Sequence, residues 1–225
     1  MKIIVMSCDK NEDTFKPFHW CMEEYYPNHP EIIYFTETIK NPFYKTISIP
    51  RDISEWTKGV REFLKWVDDD VVLFMIDDIF IRKPVDEQRI KKAKLILDLE
   101  PNVACMNFEK SWDSKDELTM FEGWKKRRNG SDYQVSLMCG LWNKDKLERV
   151  LDRDCDPWTI ELEQDSKGFD YYINSGDYII DWGYEYSKPC NIVKGKWTRE
   201  CVEFLKSKGF NLDYEKRGYY VGVEG

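Results

Sequence analysis

A chain of 225 residues with 42% apolar and 15% aromatic side chains has the material for one large core, which excludes intrinsic disorder. Its net charge of −8 argues against broad nucleic-acid binding, which runs on counterion release by Lys and Arg. The longest wholly apolar run, Val71–Ile76, is far short of the roughly 20 residues of a membrane-spanning helix. The apolar part of the opening "MKIIVMSCDKNED" is too short for a secretion signal. Seven cysteines without a CxxC pair, and only His19 and His29, argue against a zinc site and are read as reduced thiols of a cytoplasmic protein.

"KIIVMS" (2–7) is a continuous apolar run expected to form a buried strand opening into the polar loop "CDKNED". "TFKPFHWCMEEYY" (14–26) reads as a helix with Pro17 near its first turn. "EIIYFT" (31–36) and "TISIP" (46–50) read as strands. In "DISEWTKGVREFLKWV" (52–67), Ile53, Trp56, Val60, Phe63, Leu64 and Val67 recur at the helical period behind an Asp52–Glu55 capping box. Asp68–Asp70 is a solvated turn before the central strand "VVLFMI" (71–76). "VDEQRIKKAKLILDLE" (85–100) predicts a helix and "NVACMNF" (102–108) a strand.

Residues 109–132 show no periodicity and read as a long loop, of the kind that carries function in compact domains. "YQVSLMCGLW" (133–142) is strand-like, and "NKDKLERVL" a short helix capped by Asn143. "DPWTIELEQD" begins a helix with Asp156 as cap and Pro157 in the first position. A strand at Tyr178–Ile180 and a helix from Thr198 to Lys208, stopped by Gly209, close the chain. Alternation in the first half and irregular order afterwards predict a single α/β domain over 1–225. Residues 1–108 would form a Rossmann-type nucleotide-binding half, and 109–225 a specialised acceptor-binding and catalytic half, around a mixed central sheet with flanking helices.

The strand 71–76 runs straight into two adjacent carboxylates, Asp77 and Asp78. Like charges repel and resist leaving water without compensation. Either one aspartate caps a turn and the other is solvated, or a cation sits between them. In open α/β sheets ligands bind outside the carboxyl ends of the strands, where Ser7, Cys8 and Asp9 would also lie. A hard cation held there by one or two carboxylates would bind phosphate oxygens as well.

Four stretches carry a resemblance: "SCDKNED", "EWTKGVREFLKWVDDDVVLFMIDDIFIRKPVD", "SLMCGLWNKDKLERVL" with "DPWTIELE", and "VKGKW". In that order they resemble small nucleotide-sugar glycosyltransferases of the GT-A fold found in bacteria and their phages. The resemblance implies a UDP-linked nucleotide-sugar donor, a divalent metal (Mn2+ or Mg2+), and a cytoplasmic location in a bacterium or phage-infected host. The family's DxD metal motif stands here as Ile76-Asp77-Asp78, its first acidic position missing. This makes Asp78 the better metal ligand and Asp77 partly a ribose or sugar contact. Ile160 replaces the aromatic that the family carries before its glutamate.

By the same resemblance, Ser7, Cys8, Asp9, Asp13, Trp56, Asp77, Lys194, Lys196 and Trp197 are donor-binding candidates. A lysine near a diphosphate stabilises its developing charge and Gly195 permits close approach, although "VKGKW" also reads as an ordinary surface turn. Glu161 is the candidate general base for the acceptor hydroxyl, with Glu163 and Asp165 as alternatives. On its own, a glutamate in the first turns of a helix serves equally well for the dipole. Trp56, Trp142 and Trp158 are core residues or sugar-stacking platforms. The basic run in "GWKKRRNG" nominates Trp124, Lys125, Lys126, Arg127, Arg128 and Trp158 for the acceptor, either a glycan or hydroxymethylpyrimidine DNA of the phage type. The missing acidic position keeps open a catalytically inactive GT-A-like domain that binds sugars or a partner.

Overall fold

The computed structural model of the chain describes residues 1–131, 133–163, 165–183 and 191–221. Strand β1 (Lys2–Met6) passes through a 3-10 turn over Asp9–Thr14 into helix α1 (Phe15–Tyr25). Strands β2 (Ile32–Thr36) and β3 (Lys45–Ser48) follow, then helix α2 (Trp56–Leu64), β4 (Val71–Ile76), helix α3 (Glu87–Leu99) and β5 (Val103–Lys110). The second half supplies β6 (Glu117–Leu118), β7 (Trp124–Lys126), β8 (Gly140–Asn143), helices α4 (Lys144–Val150) and α5 (Pro157–Glu163), and β9 (Asp170–Asn174). A two-stranded hairpin of β10 (Ile192–Val193) and β11 (Lys196–Trp197) precedes helix α6 (Arg199–Ser207).

Nine strands form one mixed sheet in the order β3-β2-β1-β4-β8-β5-β9-β7-β6. The first four run parallel, while β8 enters antiparallel between β4 and β5. Successive side chains of a strand point to opposite faces, so the continuous apolar runs feed two cores. Ile3, Val5, Leu73 and Met75 pack with Phe18, Met22, Ile90, Ala93 and Leu205 on the face covered by α1, α3 and α6. Ile4, Met6, Val72 and Phe74 pack with Val60, Phe63, Leu64, Leu147 and Ile160 on the face covered by α2, α4 and α5. Burial on both faces is why these strands read as unbroken apolar runs instead of alternating ones.

Four expectations are corrected. Only Gly140–Asn143 of the stretch 133–142 is a strand; Val135 and Leu137 are apolar because the irregular segment before it is buried. The stretch 109–132 is not one loop, since β5 extends to Lys110 and the β6–β7 hairpin lies within it. Tyr178–Ile180 forms no strand: Ile179 and Ile180 are buried in an irregular segment whose carbonyls accept from the chain after β4 (Asp86 N to Ile179 O, 3.0 Å). The strand in that region is β9, upstream. Asp52 makes no side-chain capping bond; the chain enters α2 through a 3-10 turn at Ile53–Glu55. Six cysteines are free thiols, and Cys190 lies outside the described residues. Among the described residues no helix is long and apolar enough to cross a membrane.

β8 fits between β4 and β5 because it opens on a glycine. A Cβ at Gly140 would lie 2.8 Å from the Met106 carbonyl oxygen and 3.1 Å from the Asn107 Cα. Both are backbone atoms of the neighbouring strand and cannot swing aside. We expect Gly140→Ala to destabilise the chain by about 1–3 kcal/mol, read as a lowered urea midpoint at unchanged slope.

Candidate active site

At the carboxyl end of β4 the Asp77 side chain is almost wholly buried, 2% exposed. Its Oδ2 accepts from the Ser7 hydroxyl at 2.5 Å and from Thr14 Oγ1 at 3.2 Å, and its Oδ1 accepts from Asn11 Nδ2 at 3.0 Å. Both oxygens are therefore spent on the loop after β1. Burial and then the neighbouring Asp78 push the Asp77 carboxyl up to about 7, against the pull of those three hydrogen bonds. Asp77 is the latch that fastens the loop 7–14 to the central strand.

Asp78 is partly exposed and opens on a cavity of about 280 Å3. Burial raises its carboxyl to about 6, offset by backbone N–H groups including that of Ile192 and by the charge of Arg217. The cavity is lined by Ser7, Cys8 and Asn11 from the first loop, Ile53 and Trp56 from the start of α2, Glu37 and Arg51, and Leu137, Met138, Pro157, Trp158 and Glu161. Arg51 is buried: it donates to the carbonyls of Thr36 (2.9 Å) and Ile49 (3.0 Å), pairs with Glu37 at 3.3 Å, and lies 3.7 Å over the Phe35 ring. Gly59 makes room for it, since a Cβ there would stand 2.5 Å from Arg51 Cδ.

Glu161 enters the cavity from α5. Asp156 starts this helix, accepting from Thr159 N at 2.9 Å and Thr159 Oγ1 at 2.8 Å. The buried Ile160 fixes the helix against the sheet and turns the next residue toward the cavity. Glu161 Oε1 accepts from Leu137 N at 2.7 Å. Burial lifts its carboxyl to about 7, the Leu137 amide opposes this, and Glu109 adds to it. A proton acceptor poised near neutrality thus shares one cavity with Asp78.

The other expected site residues divide. Ser7, Cys8, Trp56, Asp77, Asp78, Trp158 and Glu161 converge on the cavity, with Trp158 60% exposed at its mouth. Asp9 is occupied by the loop after β2, accepting from the amides of Thr38 (3.0 Å) and Ile39 (3.2 Å). Asp13 is paired with Arg217, whose Nε lies 2.7 Å away. Glu163 pairs with Arg153, and the exposed Asp165 with Lys167 at 2.7 Å; neither reaches the cavity. Lys194 and Gly195, both at positive φ, form the tight turn of the β10–β11 hairpin. Lys194 and Lys196 are exposed, while Trp197 is fully buried against Phe80 and Tyr214. Asn191, just before β10, donates to the Asp78 carbonyl at 2.7 Å and so anchors this hairpin beside the cavity.

The basic run is not a row of exposed cations. Trp124 and Arg127 are buried, at 4% and 2% exposure, and Lys126 pairs with Asp170 at 2.8 Å. β7 stands four strands from β4, roughly 19 Å at 4.8 Å per strand. It runs antiparallel to β9, which carries Arg127 and Arg128 away from the edge where Asp78 lies. Trp124 lines a second, larger cavity of about 570 Å3 between α3 and the β6–β7 hairpin. Its polar groups Asp86 and Arg89 are tied into structure, Asp86 accepting from Arg89 N (3.0 Å) and Arg89 donating to Asn174 Oδ1 (2.8 Å).

Sequence reasoning missed Asn11, Glu37, Arg51, Leu137, Glu109 and Arg217. Each acts through a partner distant in the chain, and although Asn11 and Leu137 lie within quoted motifs, no local spacing marks any of the six; Arg217 meets Asp13 across 204 positions. Among the described residues no group of three or more His, Cys, Asp or Glu converges as a metal site. With Asp77 bonded to the first loop, Glu37 paired with Arg51 and Glu161 bonded to the Leu137 amide, Asp78 is the cavity carboxylate left for a cation. That donor set fits Mg2+ or Mn2+ only where phosphate oxygens and water complete the shell, as such ions commonly bind.

No family model matches this chain, and no curated protein matches it in sequence. Solved structures do match in fold. The CMP:2-keto-3-deoxy-manno-octonic acid synthetase in complex with CTP shares 9% identity over 92% of this chain and 98% of that one, with a TM-score of 0.54. A cytidylyltransferase from Leptospira borgpetersenii shares 10% identity over 95% and 89%, also at 0.54. TarS of S. aureus, residues 1–349 in complex with UDP, shares 13% over 79% of this chain and 58% of that one, at 0.50. The chain thus spans little more than half of the TarS fragment. It has the GT-A-like, Rossmann-type fold of nucleotide-binding transferases, as the sequence resemblance implied.

The latch has a pH signature. The folded chain raises the Asp77 carboxyl from its usual 3.8 to about 7, so the folded state holds that proton more tightly than the unfolded one. Its contribution to stability is full below about pH 4 and is lost as pH rises through about 7. Asp77→Asn removes this titration, so the drop in unfolding free energy between pH 5 and pH 8 should be smaller than in the parent protein. Urea titrations at the two pH values measure it; an undiminished drop would show that Asp77 is ionised throughout.

Proposed function

We propose that this chain transfers a sugar from a nucleotide-sugar donor to an acceptor hydroxyl. The observation that carries the reading is the meeting of Glu161 and Asp78 in one cavity at the carboxyl edge of the parallel strands. That edge is where open α/β sheets bind nucleotides. Ile53, Trp56 and Cys8 offer the walls for the base and ribose of a UDP-type donor, and the Lys194–Lys196 hairpin would meet its diphosphate. A Mg2+ or Mn2+ held by Asp78 and the donor's phosphate oxygens would neutralise charge on the leaving diphosphate.

In the reaction, the acceptor hydroxyl attacks the anomeric carbon from the Glu161 side. Its oxygen forms the new glycosidic bond as the bond from carbon to diphosphate oxygen breaks, with inversion at that carbon. Glu161 takes the hydroxyl proton, and the nucleoside diphosphate leaves with the bonding pair. A base titrating near 7 suits this task, because it is ionised at working pH and still a useful proton acceptor. Trp158, exposed beside Glu161, gives the acceptor an aromatic face. With Arg127 buried and Lys126 paired, a glycan hydroxyl fits better than a DNA acceptor held by its phosphates.

Nucleotidyl transfer is the second reading, favoured by the near-complete coverage of the two cytidylyltransferase-type structures. Against it stands the loop after β1. Residues 7–14 hold no glycine and carry Asp9, Glu12 and Asp13 against the single Lys10, a poor cradle for a triphosphate. Sugar-dependent release of nucleoside diphosphate supports glycosyl transfer. Pyrophosphate release from a nucleoside triphosphate supports the alternative, and neither activity would support an inactive sugar- or partner-binding domain.

Glu161→Gln should leave donor affinity within about twofold and cut transfer by about 10²–10⁴, the worth of a positioned general base. In the parent protein, transfer should rise with pH to a plateau above about 7, since the carboxyl raised by burial must first lose its proton. Near-parental turnover in the variant would move the base elsewhere.

Asp78→Ala should abolish the metal-dependent part of UDP binding by calorimetry while the melting curve changes little. Mn2+ titrated without nucleotide should show no tight site, because among the described residues no group of three or more acidic, histidine or cysteine side chains converges there. Tight binding of Mn2+ alone would contradict the one-ligand arrangement.

A further inference from the structure

A buried acid outside the cavity has no part in the roles assigned above. Glu109, near the end of β5, is 9% exposed and does not line the cavity. Its Oε2 accepts from Asn107 Nδ2 at 3.1 Å and from the Ser136 hydroxyl at 2.7 Å, while its own amide donates to Asn107 Oδ1 at 2.7 Å. The next residue along, Leu137, gives its amide to Glu161 at 2.7 Å. Two acids from different elements, β5 and α5, therefore hold adjacent residues of one irregular segment. Burying a carboxylate costs several kcal/mol unless it is bonded, and an apolar residue would fill the same volume without that cost.

We infer that Glu109 is a positioning residue for Glu161: through Ser136 it holds the segment whose Leu137 amide is bonded to Glu161, and it thereby sets the environment in which that glutamate ionises. The inference rests on the reading of Glu161 as general base. Without Glu109, Ser136 would lose its buried acceptor and Leu137, the residue that orients the base, its neighbouring anchor. The like charge acts in the same sense as burial, favouring the protonated form of Glu161. The other charged groups around the site are committed elsewhere. Glu37 is paired with Arg51 and Glu163 with Arg153. Asp156 caps its own helix, and Asp77 is bonded to Ser7, Asn11 and Thr14. Asp78 opens on the cavity from β4, and Arg127 is buried on the β7 side, where it and Glu109 act with opposite sign on the Cys105 thiol. Glu109 is the carboxylate whose charge bears on Glu161 through the protein interior.

The test reads the ionisation of Glu161 directly. Protein labelled with carboxyl-13C glutamate is titrated by NMR with Mg2+ and UDP present, and the Glu161 resonance is identified by its loss in Glu161→Gln. Glu109→Gln keeps an acceptor for Ser136 but removes the charge. The Glu161 midpoint should then fall by roughly half to one pH unit, the order of a like charge's effect when it lies beyond direct contact. Glu109→Asp, which draws the charge back by one methylene, should fall between the two and serves if the Gln variant folds poorly. The rising limb of the transfer profile should move with the midpoint, at an unchanged plateau. A Glu161 midpoint unmoved in both folded variants overturns the proposal. A midpoint that moves in a protein showing no sugar transfer supports the pairing while removing the glycosyltransferase reading, so the two failures are distinct.

Discussion

The geometry of the site depends on one buried carboxylate. Asp77 lies at the end of a strand whose preceding residues are sealed in two cores, so its position is set by the sheet and its charge has no access to water. The three donors that compensate it, Ser7, Asn11 and Thr14, all come from one loop. Satisfying the carboxylate therefore fixes the path of that loop over the sheet edge. A donor removed from this set would strand a buried acceptor at a cost of about 1–3 kcal/mol, which is why the loop is polar yet well placed. Further latches extend the same logic outward. Asp9 holds the segment after β2, and Arg217 joins the C-terminal segment to Asp13, Asn11 and the Lys10 carbonyl.

This division of labour explains the doubled aspartate. One member is spent on structure and the other is left at the cavity, so the pair need not be a pair of ligands. The repulsion between them is eased because burial and the neighbouring Asp78 push the Asp77 carboxyl up to about 7, so that it carries less than a full charge around neutrality. With one carboxylate left for a cation, the cavity calls for a ligand that brings its own anionic oxygens, and this couples any metal to the donor.

The second half of the chain brings the chemistry to that edge. β8, inserted antiparallel between β4 and β5, returns the chain to the middle of the sheet. The irregular segment before it passes directly over the site. Leu137 and Met138 line the cavity while Ser136 reaches into the interior. Helix α5 then needs only a cap at Asp156 and one buried contact at Ile160 to aim Glu161. The acidic side chains divide in consequence: Asp77, Asp78 and Glu161 at the cavity are raised toward neutrality, and those left on the surface, such as Glu163 and Asp165, form ordinary ion pairs.

From the sequence alone, the two-sided burial of 2–7, 31–36 and 71–76 was legible, because unbroken apolar runs next to periodic helices mean parallel strands in an α/β sheet. The doubled aspartate was legible as chemistry, since it places two charges at the end of an apolar strand, whereas Glu161 was singled out only by the family resemblance. What each carboxylate does was decided by tertiary structure. Whether Asp77 or Asp78 faces the cavity depends on donors about 70 positions away, and no local spacing encodes that. The same holds for Glu109, Arg51 and Arg217, and for the short strands β6, β7 and β9, which exist only because a sheet edge is there to pair with them. The "KKRR" run shows the limit from the other side. Its charge nominated it as a cationic acceptor-binding patch, but pairing along β9 buries Arg127 and engages Lys126, because a strand position determines exposure more strongly than the charge of the residue that occupies it.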